Sequence, residues 1–142
     1  MAIEKIMEKE SALKEIDNMK NKICEVDLDA ICEEETRVIG GNEIIYKRFV
    51  QAVMCGLVYW DEEKNCLVQK LINPLKSGEL TREQLEYKHK ITLGQMKTFK
   101  SNTSLEYGIE SLATITSVPK VLIGQLSGQD QQIATACVDF FS

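Results

Sequence analysis

Apolar side chains recur every three or four positions along the first stretch of the chain. Ile3, Ile6, Met7, Leu13, Ile16, Met19 and Ile23 predict an amphipathic helix over residues 2–24, interrupted at Glu10 and backed by lysines and glutamates. Such a stripe is read as a helix lying on the rest of the domain or pairing with a copy of itself. A partner-binding arm is the alternative. Glu25 to Glu35 is acidic, with Asp27, Asp29 and the run Glu33-Glu34-Glu35, and reads as a solvated linker. It lacks the glycine and closing glutamate of a calcium loop. Gly40-Gly41 breaks the pattern and Asn42 is a good N-cap. From Glu43 to Cys55 the residues Ile45, Phe49, Ala52 and Val53 share one helical side, and Gly56 supplies a stop.

The period then changes. Leu57 to Trp60 is short and rich in strand formers, Asp61 to Asn65 is a polar turn, and Cys66 to Ile72 returns as a second strand. Pro74 and Ser77-Gly78 are expected to end that hairpin. Leu85, Tyr87, His89 and Ile91 alternate with Glu86, Lys88, Lys90 and Thr92, predicting a half-buried third strand.

After Thr92 the punctuation is helical. Thr92 with Gln95 and Thr103 with Glu106 form capping boxes, and Ser117 with Pro119 opens a third helix, proline sitting in its first turn. Leu126-Ser127-Gly128-Gln129-Asp130 closes it and starts a fourth, which runs into Val138, Phe140 and Phe141. The fold class expected is α+β, mainly α: an N-terminal amphipathic helix, a small antiparallel hairpin or meander, and a C-terminal helical module. Residues 1–41 are assigned to an acidic helical arm and linker. Residues 42–142 form one globular domain, helix plus small sheet to residue 92 and helical beyond.

Composition narrows the function classes. The chain has 142 residues, enough for one domain with a real core, and its 44% hydrophobic and 27% charged residues are ordinary for a globular protein. No apolar run approaches the roughly 20 residues of a membrane span, and the N-terminus reads as a charged helix rather than a signal peptide, so a cytoplasmic, non-secreted protein is expected. The net charge is −5, and residues 1–41 account for all of it. No basic stripe is present to release counterions from a phosphate backbone, which argues against nucleic acid as partner.

Candidate chemistry is sparse. Cys24, Cys32, Cys55, Cys66 and Cys137 are odd in number and irregular in spacing, reading as free thiols without a metal site. His89 is the lone histidine and reads as a packed or rim residue. Nucleophile elbows, P-loops and dinucleotide-binding glycine motifs are absent. The chain is therefore read as a non-enzyme with neither cofactor nor metal. Tyr59-Trp60 is either an exposed recognition pair or a hairpin packing its aromatics inward. Of Phe140 and Phe141, one continues the apolar side of Ile133, Ala134, Cys137 and Val138, so the other is expected to point away as a docking point.

Two stretches carry a family resemblance. Ile91-Thr92-Leu93-Gly94-Gln95, a long helix through Ser111-Leu112 to Val118, Pro119 to Leu126, and Asp130 to Phe140 resemble the tail assembly chaperones of long-tailed bacteriophages and prophages. The match covers roughly residues 85–142, and the hairpin from Gly56 to Pro74 is similar to the front part of such proteins. Thr116-Ser117-Val118-Pro119 departs from the family phrase by lacking its glycine, and the acidic N-terminus is longer than the family's. The resemblance implies a non-catalytic factor that binds the tape measure protein, and possibly the tail tube protein, keeps the former soluble during assembly, and is absent from the finished virion. A homo-oligomer is expected. The candidate partner-binding residues are Val121, Leu122, Phe140 and Phe141, core packing being the plainer account of the first two. The alternative is a structural adaptor, a head–tail connector or tail completion protein retained in the particle.

Overall fold

A computed structural model describes residues 3–23, 43–88 and 104–141. Five helices and three strands lie among them, an α+β arrangement that is mainly α. They are α1 (Lys9–Ile23), α2 (Glu43–Met54), β1 (Val58–Asp61), β2 (Cys66–Ser77), β3 (Leu80–Tyr87), α3 (Ser104–Thr116), α4 (Lys120–Ile123) and α5 (Gly128–Phe141). The strands form one antiparallel sheet in the order β1-β2-β3. The acidic stretch, Asn42, His89, Cys24, Cys32 and the Thr92–Gln95 box lie outside the described residues.

The first helix begins later than its apolar pattern predicts. Residues 3–8 precede it, because the Ile6 and Met7 amides both donate to the Met54 carbonyl, at 2.8 and 3.2 Å. That carbonyl is one of those a helix end leaves unpaired. The end of α2 is a Schellman motif: Gly56 takes φ +72°, its N–H donates to Val53 and Leu57 N–H donates to Ala52. A side chain at 56 would also meet Ile6 Cδ1 at 2.9 Å. Within α1, Ala12, Ile16 and Met19 are buried in the common core, so this helix lies on the domain rather than standing off as an arm. Ile3 and Ile6 stay exposed.

The hairpin forms where the sequence places it, with Asp61 opposite Cys66. Asp61 Oδ1 accepts the Lys64 amide at 3.1 Å, and Asn65 takes φ 52°. Two expectations need correction. Pro74 does not end β2; the strand continues to Ser77, and β3 starts at Leu80 rather than near Leu85. Proline is accommodated because Lys70 pairs with Gln84 and Leu75 with Arg82, so residues 71–74 bulge out opposite Glu83 alone. A missing N–H at 74 therefore costs no ladder bond. Gly78, at φ +61°, is the first central residue of the two-residue turn between Ser77 and Leu80, where mirror-image hairpin turns need positive φ.

One side of the sheet, with Val58, Leu67, Leu71, Leu85 and Tyr87, closes on Phe49, Val53, Ile115, Leu122, Ile133 and Cys137. Helix α2 rests on α1 and α5, while α3, α4 and α5 all reach the sheet. In α3 the Ser111, Thr114 and Thr116 hydroxyls donate to carbonyls one turn back, which lets Ser111 and Thr116 be buried. Pro119 occupies the N-cap position of α4, one residue ahead of the first turn where the sequence reading puts it.

Candidate functional site

The polar chemistry of the described residues converges where the helical module meets β2. Beyond the bulge, one edge of β2 is paired with β3 and the other has no strand beside it. Asp130, in the first turn of α5 and 2% exposed, turns its carboxylate onto the bulge just before that edge. Oδ1 accepts the Ile72 amide and Oδ2 the Asn73 amide, each at 2.8 Å. Farther along, Gln125 imitates a peptide group. Its Oε1 accepts Lys76 N–H at 3.0 Å and its Nε2 donates to Lys76 O at 2.6 Å. An open edge is a template for unwanted pairing, and these two side chains close it.

Beneath lies a buried chain of polar groups. Gln69 points into the core between Val58 and Leu85. Its Nε2 donates to the Asp130 backbone carbonyl at 3.1 Å, and its Oε1 accepts the Tyr87 hydroxyl at 2.7 Å. The Cys137 thiol hydrogen-bonds with that hydroxyl. Burial pushes the Tyr87 phenol well above its usual range, helped by Cys137 and Asp130. Burial also pushes the Cys137 thiol strongly up, against the Tyr87 hydrogen bond. Both stay protonated, the opposite of what an activated nucleophile or base needs. The arrangement fixes the helical module on the sheet.

No family model, curated protein or solved structure matches this chain. Function is therefore argued from its residues.

The candidate partner residues separate. Val121 is 61% exposed on α4, whereas its neighbour Leu122 is fully buried. Leu122 thus belongs to the core and cannot present its side chain to a partner without unfolding α4. Phe140 is half-buried with its ring 5.0 Å from Phe49, tilted by 36°, so its docking surface is largely taken within the chain. The Phe141 side chain lies outside the described residues.

At the hairpin, strand alternation sends Trp60 toward the core beside Leu67 and Tyr59 to the other side. Lys22 Nζ sits 5.6 Å from the Trp60 ring centre and also pairs with Glu62, while Lys70 Nζ sits 5.6 Å from that of Tyr59. Cys66 and Val68 share the Tyr59 side, and burial pushes the Cys66 thiol up, with Glu86 and Asp61 adding. Glu86 is held below its usual range by the Lys64 hydrogen bond, with Lys88 contributing and burial opposing. Among the described residues no three His, Cys, Asp or Glu side chains gather into a metal-holding group, and no helix is long and apolar enough to cross a membrane.

Sequence reasoning missed Gln69, Gln125 and the inward turn of Asp130. The one available signal was Gln69 itself, a polar residue on the strand side shared by Leu67 and Leu71.

Proposed function

We propose that this protein is a non-catalytic tail assembly chaperone that binds the tape measure protein of a long-tailed phage and keeps it soluble during assembly. The supporting observation is how the fold uses its polar side chains. Gln69, Tyr87, Asp130 and Cys137 are buried and Gln125 is bound to Lys76, so these groups serve the sheet–helix junction rather than a reaction. Outside, the large apolar side chains on display include Val121, Ile6 and Tyr107. A tape measure exposes apolar helical faces before the tube covers them, and a small helical module can cover those faces in a reversible, helix-in-groove manner. Several copies per client and modest affinity per contact suit a partner that must later be released.

Co-expression with the tape measure protein of the same operon tests this. The expected outcome is a shift of the tape measure from the pellet to the soluble fraction, co-purification with this protein, and absence of this protein from purified virions. A tape measure that stays insoluble overturns the reading. Retention in the particle at fixed copy number favours a structural adaptor.

A further inference from the structure

Among the described helices α1 alone has one principal neighbour, α2; every other helix packs on at least two elements. The two sides of α2 are divided. Phe49 faces Phe140, and Arg48 Nε donates to Gln132 Oε1, both partners lying on α5. Val50 and Met54, one turn apart on the opposite side of α2, are buried and half-buried. At that end the Met54 carbonyl receives the Ile6 and Met7 amides. Helix α1 brings Ala12, Ile16 and Met19 to the common core, a small residue followed by longer apolar ones four and seven positions on, with Leu13 half-buried beside them. The free side of α2 is thus complementary to an amphipathic helix, because one already lies on it.

The hold on α1 is modest. Outside its apolar stripe, Glu10, Lys14, Glu15, Asp17 and Asn18 are exposed. Lys22 pairs with Glu62 and lies over the Trp60 ring, but the two charged side chains are 37% and 75% exposed, where an ion pair contributes little. Asp17 and Asn18 are poor helix formers in the middle of a 15-residue helix, a length marginal in water by itself. Undocked, α1 unfolds and regains chain entropy, so its release needs less free energy than global unfolding. We propose that an amphipathic helix of a protein partner takes the place of α1 on the Val50–Met54 side of α2, and that α1 covers this side until the partner arrives. The inference rests on the reading of this protein as a protein-binding factor and gives that reading a face and a partner chemistry. Released, α1 stays on the same chain and competes with the partner, which keeps binding reversible.

The probe is a fluorescein-labelled synthetic peptide of residues 3–23, whose fit the structure shows, added to the full chain and followed by anisotropy. Met19→Ala in the full chain loosens α1 without touching α2, and should tighten peptide binding about tenfold while lowering Tm. Asn18→Ala, on the exposed side of α1, raises helix propensity and should weaken peptide binding about threefold while raising Tm. Stability and affinity moving in opposite directions is the signature of exchange. A purely structural α1 would leave peptide binding unaltered in both variants. If Met19→Ala does not fold, Lys22→Glu loosens α1 by a smaller step in the same direction. In the wild type, hydrogen exchange should show the α1 amides opening before those of α2 and α5. Peptide affinity that stays constant across the variants, or α1 amides that exchange only with global unfolding, would overturn the proposal. Tape measure protein that co-expression makes soluble but that cannot displace the peptide from Met19→Ala also overturns it, and leaves the chaperone reading standing. Peptide affinities that shift as expected, with no tape measure binding by wild type or Met19→Ala, uphold the α2 face and sink the chaperone reading.

Discussion

The two ends of β2 meet the same backbone requirement by different means. At the hairpin end, residues 67–69 lie between β1 and β3 and are paired by main chain on both sides. The side chains around that end, Lys64, Glu86, Lys88 and Glu62, form ion pairs close to water. Toward the far end, the bulge at 71–74 is paired with neither strand and 75–77 with β3 alone; the Asp130 carboxylate holds the bulge amides, and the Gln125 amide takes the place of the missing strand at Lys76. Main-chain pairing does not depend on which side chains are present, so the hairpin end should tolerate substitution. The far end depends on two individual side chains and should not.

Asp130→Ala is the strongest way to break that contrast. It leaves the Ile72 and Asn73 amides without their acceptor and opens a hole beside Gln69. Hydrogen bonds to a charged group contribute about 1.5–3 kcal/mol each and are not additive, so a loss of about 3 kcal/mol is expected from urea unfolding. Asp130→Asn, which keeps one good acceptor, should lose about half of that. A loss below about 1 kcal/mol for the alanine variant would mean that water replaces the carboxylate, and the far end would be no more dependent on side chains than the hairpin end.

Tyr87→Phe removes the buried donor to Gln69 Oε1 and should cost about 1.5 kcal/mol, since a buried acceptor is left unpaired. It also changes the alkaline limb. The Tyr87 phenol is raised well above 10.0 and the Cys137 thiol above 9.0 in the folded chain, so both remain protonated after their unfolded counterparts ionise. Their contribution is fully present below those unfolded values and is lost as pH rises past them. Wild-type stability should therefore fall from about pH 9 upward, and Tyr87→Phe should fall less steeply above about pH 10. A wild-type stability that stays flat across that window would mean the Tyr87–Cys137 pair is open to solvent.

How much of this was legible in the sequence follows from how local each cause is. The stop at Gly56, the turn at Asp61–Asn65 and the alternation of Leu85 and Tyr87 depend on neighbours a few residues away, and these features stand where the pattern put them. The start of α1 did not, because its apolar period continues to Ile3 while the backbone at Ile6 is taken by Met54, distant in sequence. Pro74 signals a strand end, yet the bulge that accommodates it requires β3 and Asp130. The candidate site was less visible still. Val121 and Leu122 are equivalent in sequence, and only packing decides that one is exposed and the other buried. The inward turn of Asp130 gives no signal at all, since the amides that receive it lie on β2, distant in sequence.

Gln125→Ala sharpens the comparison at smaller scale. Its two bonds to Lys76 lie at the surface, where water competes, so a loss of about 0.7 kcal/mol is expected. Hydrogen exchange is the better readout. The Lys76 amide should lose protection by about threefold while the amides of Leu67 and Val68 are unaffected beyond the global change. Uniform loss along β2 would show that Gln125 acts on the whole fold rather than on that edge.

Glu86→Gln, at the hairpin end, should have the smallest effect. In the folded chain the Lys64 hydrogen bond, then that of Lys88, holds the Glu86 carboxyl below its usual 4.5, against the opposing effect of burial. A depressed acid contributes stability above its unfolded value and loses that contribution as pH falls through the folded one. The substitution should therefore lower Tm at neutral pH by no more than about 2 °C, and the difference should shrink as pH drops below about 4.5. Added salt should shrink it too, because the lysines of the trio are exposed. A loss at neutral pH approaching that of Asp130→Ala would mean that Glu86 holds Cys66 and Val68 in place beneath it. The hairpin end would then rest on a single side chain as the far end does, and main-chain pairing on both sides would not be what makes it tolerant.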